Sequence, residues 1–403
     1  MSRRLEIGAL LALAFFLPLY EGPKNVFCVL YFVVWIVNRV RARDFGGRWD
    51  LWDSLLAAWL GSAVVAAVFA GIRGGDEWRA LADLARCGGV LWAVKRTRYD
   101  TREVRWIVGT LILSGVVGLV QAYVAIVRGQ EGGLQLNSVG HVNHTAIYIA
   151  IVLGVCVAWL LARWRGWSWP ARAGGLAAGL SVFGSLMYTA SRGAIGMGII
   201  LPLVLAAAWR PRWRGALPAT VLVVAAVVVA GFSARAEVFL KQEALIEARN
   251  IFSNRIAIWH AAVHGWQRYP LAGVGVDNFK LITEERLREW RTQAGEPFDA
   301  GTYAFFRHGH SLYFNTLAER GLVGFLPLMA LLAALLLSLI RQRPGAADDD
   351  ETWLVWGGAT SAWIVTCGVG LVNTTFHHEH GILAAMLFGL WLSRRQALAA
   401  DRR

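Results

Sequence analysis

Residues 144–162 read HTAIYIAIVLGVCVAWLLA. After His144 the stretch carries no acidic or basic side chain. Wound as an α-helix at 1.5 Å per residue it is about 28 Å long, close to the thickness of a bilayer's hydrocarbon core. A helix on the surface of a soluble protein would keep one polar face; this one has none. Working outward, eleven further apolar runs occupy roughly residues 6–20, 26–38, 51–71, 77–94, 106–127, 174–190, 193–209, 216–233, 321–340, 352–372 and 381–393. The expected fold is therefore an all-α polytopic membrane protein with about 12 transmembrane helices. The runs 26–38 and 381–393 are short. The run 77–94 holds Arg79, Asp83 and Arg86 at helical spacing, so these three are expected on one face, turned into the bundle. The start, Met1 to Tyr20, has two arginines and an apolar stretch but no small-residue cleavage site, and reads as an uncleaved first span.

Composition agrees. Of 403 residues, 56% are hydrophobic and 17% charged, which is too apolar for a soluble domain of this length. The 43 glycines and 20 tryptophans suit membrane helices and their interfaces. The net charge of +13 would point to nucleic acid in a soluble protein, but here it follows the loops, and no nucleic-acid partner is expected. The four cysteines, Cys28, Cys87, Cys156 and Cys367, lie in or beside apolar runs without CxxC spacing and read as small hydrophobes.

Basic residues alternate between connections. Arg3-Arg4, Arg39 to Arg48, Lys95 to Arg98, Arg163 to Arg172, Arg210 to Arg214, Arg341/Arg343 and Arg394 to Arg403 fall on one side; the opposite short loops hold little beyond Lys24, Arg73 and Arg128. By the positive-inside rule the first set is cytoplasmic, and both termini with it. The chain then divides into nine spans over 1–233, one large outer loop over 234–320, and three spans with a cytoplasmic tail over 321–403. Within the loop, Phe252–Arg268, Asn278–Gln293 and His310–Arg320 read as amphipathic helices, so it should be a helical cap. Asp348-Asp349-Asp350-Glu351 lies on the cytoplasmic side and reads as a solvated loop.

All nine histidines fall on the outer side. Histidine best moves protons near neutral pH, so chemistry is sought there. Asn137 to Thr145 includes His141, Asn143 and His144; Asn143 or Thr145 could cap the next span, or the segment could contact a polar ligand. Ser191-Arg192-Gly193 puts an arginine between two spans, either snorkelling to the interface or offering its forked donors to an anion. Arg255 and Trp259 share a helix face, where Arg255 is a surface charge or a second anion contact. His260 and His264 have i, i+4 spacing that suits zinc, but Ala261 stands where a metalloprotease carries Glu. Arg307-His308-Gly309-His310-Ser311 opens a helix whose positive N-terminus would keep an imidazole neutral, as a general base requires; Ser311 as a plain N-cap is the alternative. His377-His378-Glu379-His380 could bind metal but reads as a structural turn.

Ser-Arg-Gly at 191–193, an Arg…Trp helix followed by Pro-Leu-Ala-Gly-Val-Gly at 270–275, and His-x-His before Glu-x-Gly-Leu-x-Gly at 319–324 resemble the O-antigen ligase/polymerase superfamily, its ligase branch above all. The resemblance implies a GT-C-like membrane fold with a periplasmic helical cap in the bacterial inner membrane. It implies glycan transfer from undecaprenyl pyrophosphate, the donor, to lipid A-core oligosaccharide, the acceptor, inverting and without metal or other cofactor. It assigns Arg192 and Arg255 to the pyrophosphate and one of His308 and His310, with His310 favoured, to the base. Arg307, Asn143, His141 and Ser191 are expected to contact substrate, and membrane lipids to surround the spans. Many relatives have Asn where Ser311 stands, which leaves open which histidine aligns. An O-antigen polymerase or a protein O-oligosaccharyltransferase is the nearest alternative, and a lipid-linked glycan transporter the alternative from another class.

Overall fold

The structure, a computed structural model, describes residues 3–209, 216–238 and 255–401. Arg210, Arg212, Arg214, Arg402, Arg403 and the expected helix start at Phe252 lie outside the described residues. Among the described residues there are helices and no strand. The first nine helices are α1 (Arg3–Phe16), α2 (Glu21–Ala42), α3 (Leu51–Val68), α4 (Glu77–Lys95), α5 (Thr101–Val127), α6 (Val142–Arg163), α7 (Trp169–Tyr188), α8 (Arg192–Ala208) and α9 (Ala216–Ala234). Then come α10 (Arg255–Arg268), α11 (Glu284–Gln293), α12 (Leu312–Arg341), α13 (Asp350–Gly370) and α14 (His378–Asp401).

Each of the twelve expected spans falls on a helix, but among the described residues six helices are long and apolar enough to cross a membrane: α2, α3, α5, α6, α9 and α12. The others miss for separate physical reasons. α1 has 14 residues and α8 has 17. α4 carries Arg79, Asp83 and Arg86, and α7 is diluted by Gly174, Gly175, Gly179 and Gly184. α13 and α14 are enclosed by other helices, so their surfaces, which in α13 include the buried Thr352 and Trp356, match protein neighbours more than lipid. α6 lies at the centre, with 83% of its most apolar window buried, and packs against α7, α8, α13 and α14. α9, at 6%, lies on the periphery with Leu222 and Val229 exposed.

The loops that charge alternation assigns to one side meet at one end. Lys95 reaches Asp50 at 2.6 Å and Asp53 at 2.8 Å, and Arg96 donates to the same Asp53. Arg39 and Arg3 converge on Glu6. Asp349 caps α13 and pairs with Arg394, while Glu351 takes Arg105 and Arg163. The acidic run is therefore not a merely solvated loop. Two of its carboxylates tie α13 to α5, α6 and α14 by capping and ion pairing.

At the other end, the segment between α9 and α12 has a small core of its own: Ile258, Ala262, Phe279, Leu287 and Ala318. The helix expected from Asn278 is broken into a short 3-10 turn at Phe279–Leu281 and α11, which Thr283 caps. The helix expected from His310 begins two residues later, because Ser311 is its N-cap. At Gly321 the backbone leaves the helical region, so α12 is two helices joined across a kink, in keeping with the separate 310–320 and 321–340 segments expected.

Candidate active site

The frame of the site is a backbone interlock. At Gly321 (φ 55°, ψ −158°) the α12 ladder breaks, and the amides of Leu322 and Val323 donate to the carbonyls of Pro270 and Leu271 at 2.9 and 3.0 Å. In return, the amides of Val274 and Gly275 donate to Ala318 and Glu319 at 2.8 and 3.0 Å. A Cβ on Gly321 would stand 2.3 Å from the Leu271 oxygen, and one on Gly273 2.4 Å from the Glu319 carbonyl carbon. The two glycine-rich motifs are thus halves of one joint: each supplies partners for the other's freed backbone groups, and only glycine fits at the contact.

Directly before α12, residues 308–310 form a turn held from below. Asn315 accepts the Gly309 amide at 2.8 Å and donates to Glu319 at 3.0 Å, and Glu319 accepts the Phe279 amide. Ser311 accepts from Tyr313 and Phe314 and donates to the Gly370 carbonyl. Held this way, His308 and His310 have ring centroids 4.3 Å apart, and each keeps Nδ1 buried without a hydrogen-bond partner. His310 has φ 45°, a strained conformation for a non-glycine residue. Burial pushes its imidazole down to about 3, with further push from His308, Arg255 and His141. His308 is lowered too, first by burial. Two like-charged imidazoles at this separation would not both hold a proton.

The arginines reach the same place from different elements. Arg255 opens α10, whose Trp259 stacks on Phe314 of α12 with centroids 5.1 Å apart. Its Nε is buried without a hydrogen-bond partner. Burial lowers the Arg255 guanidinium, and the charge of Arg192 lowers it further, so the two cations stand within range of one another. Arg192 opens α8 behind Ser191, its N-cap, and is exposed. Two cations brought together, with the Nε of Arg255 buried and unpartnered, make a site that an anion would stabilise.

On the other flank, His141 rather than Asn143 or Thr145 caps α6, accepting the Asn143 amide on Nδ1 at 3.1 Å. Asn143 lies half-buried in the first turn. Thr145 is buried and accepts from the Leu136 amide. A cavity of about 510 Å³ adjoins the turn, lined by Arg307, His308, His144, His377 and His378 and, further along, by Arg79 and Asp83. The three charged residues of α4 do share a face, since Arg86 pairs with Asp83 and Asn25, but Arg79 is exposed and the other two are half-buried, so that face borders the cavity and is not enclosed in the bundle. His260 and His264 do not enter the site. They contact Thr302 and Tyr303 and steady that turn.

Two residues escaped sequence reasoning. His144 stood in a segment read for capping, and His377 in a turn read as structural; their rings lie 5.1 Å apart beside His308. The available signal was the gathering of all histidines on one side. A second signal exists only in three dimensions: Ala190, Asp277, His310, Phe376 and His378 all have positive φ, and they surround this end. Such strain persists where function over-determines the backbone.

No curated protein matches the chain. Residues 176–329, from within α7 through the kink of α12, match the O-antigen ligase family model, and this stretch contains Arg192, Arg255, His308, His310 and both halves of the glycine joint. Through that region, which is less than half of the chain, the protein is similar to the O-antigen ligase family.

Proposed function

We propose that the protein is a ligase-type membrane glycosyltransferase that moves a glycan from undecaprenyl pyrophosphate to a sugar hydroxyl of lipid A-core oligosaccharide, on the periplasmic face of the bacterial inner membrane. The observation that carries this reading is the pairing of two close histidines having unpartnered ring nitrogens with the Arg192–Arg255 cation pair at one end of an apolar bundle. The acceptor hydroxyl oxygen attacks the anomeric carbon from the face opposite the pyrophosphate. The anomeric C–O bond breaks, the pyrophosphate leaves with the electron pair, and configuration inverts. The hydroxyl proton passes to a histidine, His310 favoured over His308. Arg192 and Arg255 take up the negative charge that develops on the leaving group, so the transfer step needs no metal there. Ser191 sits beside the pyrophosphate with Arg192. Arg307, His141 and Asn143 face the acceptor side, where the cavity has room for sugar and the apolar helices for both lipid tails.

An imidazole held at about 3 is a weak base. Part of that depression comes from Arg255. A pyrophosphate seated on the arginines offsets their charge and raises the imidazole toward the range where general bases are effective. Donor binding therefore strengthens the base, while the lowering by burial and by His308 remains. Expression in a ligase-null strain, read by lipopolysaccharide electrophoresis, tests the assignment. A restored ladder supports ligation; chain lengthening on the polyprenyl carrier without transfer to lipid A-core would replace it with polymerisation.

A further inference from the structure

His144, His377 and His380 come from the first turn of α6, the loop before α14 and the first turn of α14, and one ligand nitrogen of each lies within 4.8 Å of the others. Their ring centroids are 5.1, 5.4 and 4.8 Å apart. His377 Nε2 is 3.0 Å from the Thr374 carbonyl, an oxygen that only accepts, so Nε2 carries the proton and Nδ1 is left with the lone pair. His380 is 1% exposed, and its Nε2 is buried without a hydrogen-bond partner. The neighbouring carboxylate does not serve these rings. Glu379 is taken by Lys24 and Ser138.

The buried, unpartnered Nε2 of His380 is costly unless something satisfies it, and the half-buried rings of His144 and His377 gather beside it. We propose that His144, His377 and His380 bind one divalent transition-metal ion, with zinc as the best chemical match. Neutral imidazoles suit zinc, and the carbonyl bond on the far nitrogen of His377 is the arrangement that fixes a ligand's tautomer and aim. Zinc–nitrogen distances of about 2.0–2.1 Å require side-chain shifts on the order of an ångström to draw the three nitrogens together. His144 and His377 also line the cavity, so a water would complete the tetrahedron from that side.

The ion's place in the fold gives it a positioning role. The loop that bears His377 begins at Asn373, whose carbonyl accepts the Leu312 amide at 3.1 Å, at the base of the His308–His310 turn. Metal would pin that loop to α6 and α14, and no bond made or broken in glycan transfer passes through it. The site stands on its own geometry and does not depend on the transfer reaction.

Full-length protein purified in detergent, stripped with a chelator and titrated with Zn²⁺ by calorimetry tests it directly. About one zinc per chain is expected. His144→Ala, His377→Ala and His380→Gln should each weaken binding by more than the roughly 10–100-fold typical of losing a ligand's hydrogen-bond partner. His264→Ala should bind as the parent does. Unaltered size-exclusion elution separates ligand loss from misfolding. Absence of zinc binding by the parent protein overturns the site whatever the variants do, and so does any of the three variants binding like the parent.

Discussion

The two ends of the bundle use the same chemical groups in opposite ways. At one end cations and carboxylates are matched: Asp53, with no exposed side-chain surface, receives Lys95, Arg96 and the Trp92 indole, and its neighbours Glu6 and Glu351 each take two arginines. At the other end nitrogen atoms of Arg255, His308, His310, Arg320 and His380 are buried with no hydrogen-bond partner. Unsatisfied buried polar groups are rare because each is costly. The first end also leaves Arg39 Nε and Asn38 Oδ1 buried without a partner, but there carboxylates stand against the cations; the second end, where Arg255 and the paired histidines gather, is where an anionic ligand would complete the structure. Charge alone would not separate them, since both ends hold arginines.

The sharpest way to break this comparison is to alter the open end and look for a loss of chemistry without a loss of fold. His310→Ala should cut turnover by ~10²–10⁴ while leaving donor affinity and thermal midpoint close to the parent's. If His308→Ala does this and His310→Ala does not, the roles of the pair exchange; if both turn over normally, the histidine mechanism fails. Somewhat smaller losses, ~10²–10³ in turnover, are expected for Arg192→Ala and Arg255→Ala, with lysine a poor substitute because it cannot fork onto two phosphate oxygens. Steady-state transfer to purified lipid A-core measures both, and full activity of either alanine variant removes that arginine from the mechanism.

The closed end should respond the other way. Asp53→Ala leaves Lys95 and Arg96 buried without their shared carboxylate and should cost about 3–5 kcal/mol of stability. Yield in the membrane and melting temperature should fall, and whatever protein remains folded should transfer at close to the parent's turnover number. A variant that is stable but catalytically dead would mean the matched end is not merely structural.

Much of this was legible in the sequence because the forces involved are local. A helix without a polar face declares itself, and Ser191-Arg192 and His308–His310 sit at span ends where polar groups need a reason. The number of crossings was less legible, because α13 and α14 are wrapped by protein and their residues answer to neighbours from other parts of the chain. What joins the two halves of α12 at Gly321 was hidden for a related reason. A glycine with a non-helical backbone normally ends a helix, and here the 270–275 segment supplies the missing hydrogen bonds. His144 and His377 are 233 positions apart in sequence, and no spacing rule joins them; only the packing of α6 and α14 does.

The smallest expected effect is the most diagnostic of how the open end works. His310 is held at about 3, against ~6.5 for an unperturbed imidazole. Between those values the unfolded chain binds a proton at this position that the folded chain does not. Its contribution to stability is therefore intact above pH ~6.5 and declines as the pH falls toward the folded value, and His310→Gln should flatten that part of the stability curve. Activity carries a second signature. The acid limb of kcat/KM reports the free enzyme, and that of kcat the enzyme with donor bound. With the arginines bare, the limb of kcat/KM should lie well below pH ~6.5. With a pyrophosphate offsetting Arg255, the limb of kcat should move to higher pH. Arg255→Gln removes the cation itself, so its free-enzyme limb should shift upward from the parent's and its two limbs should draw together. Limbs that coincide near pH 6.5 in the parent protein would describe an exposed histidine indifferent to its arginine neighbour, and the coupling between donor binding and base strength would have to be abandoned.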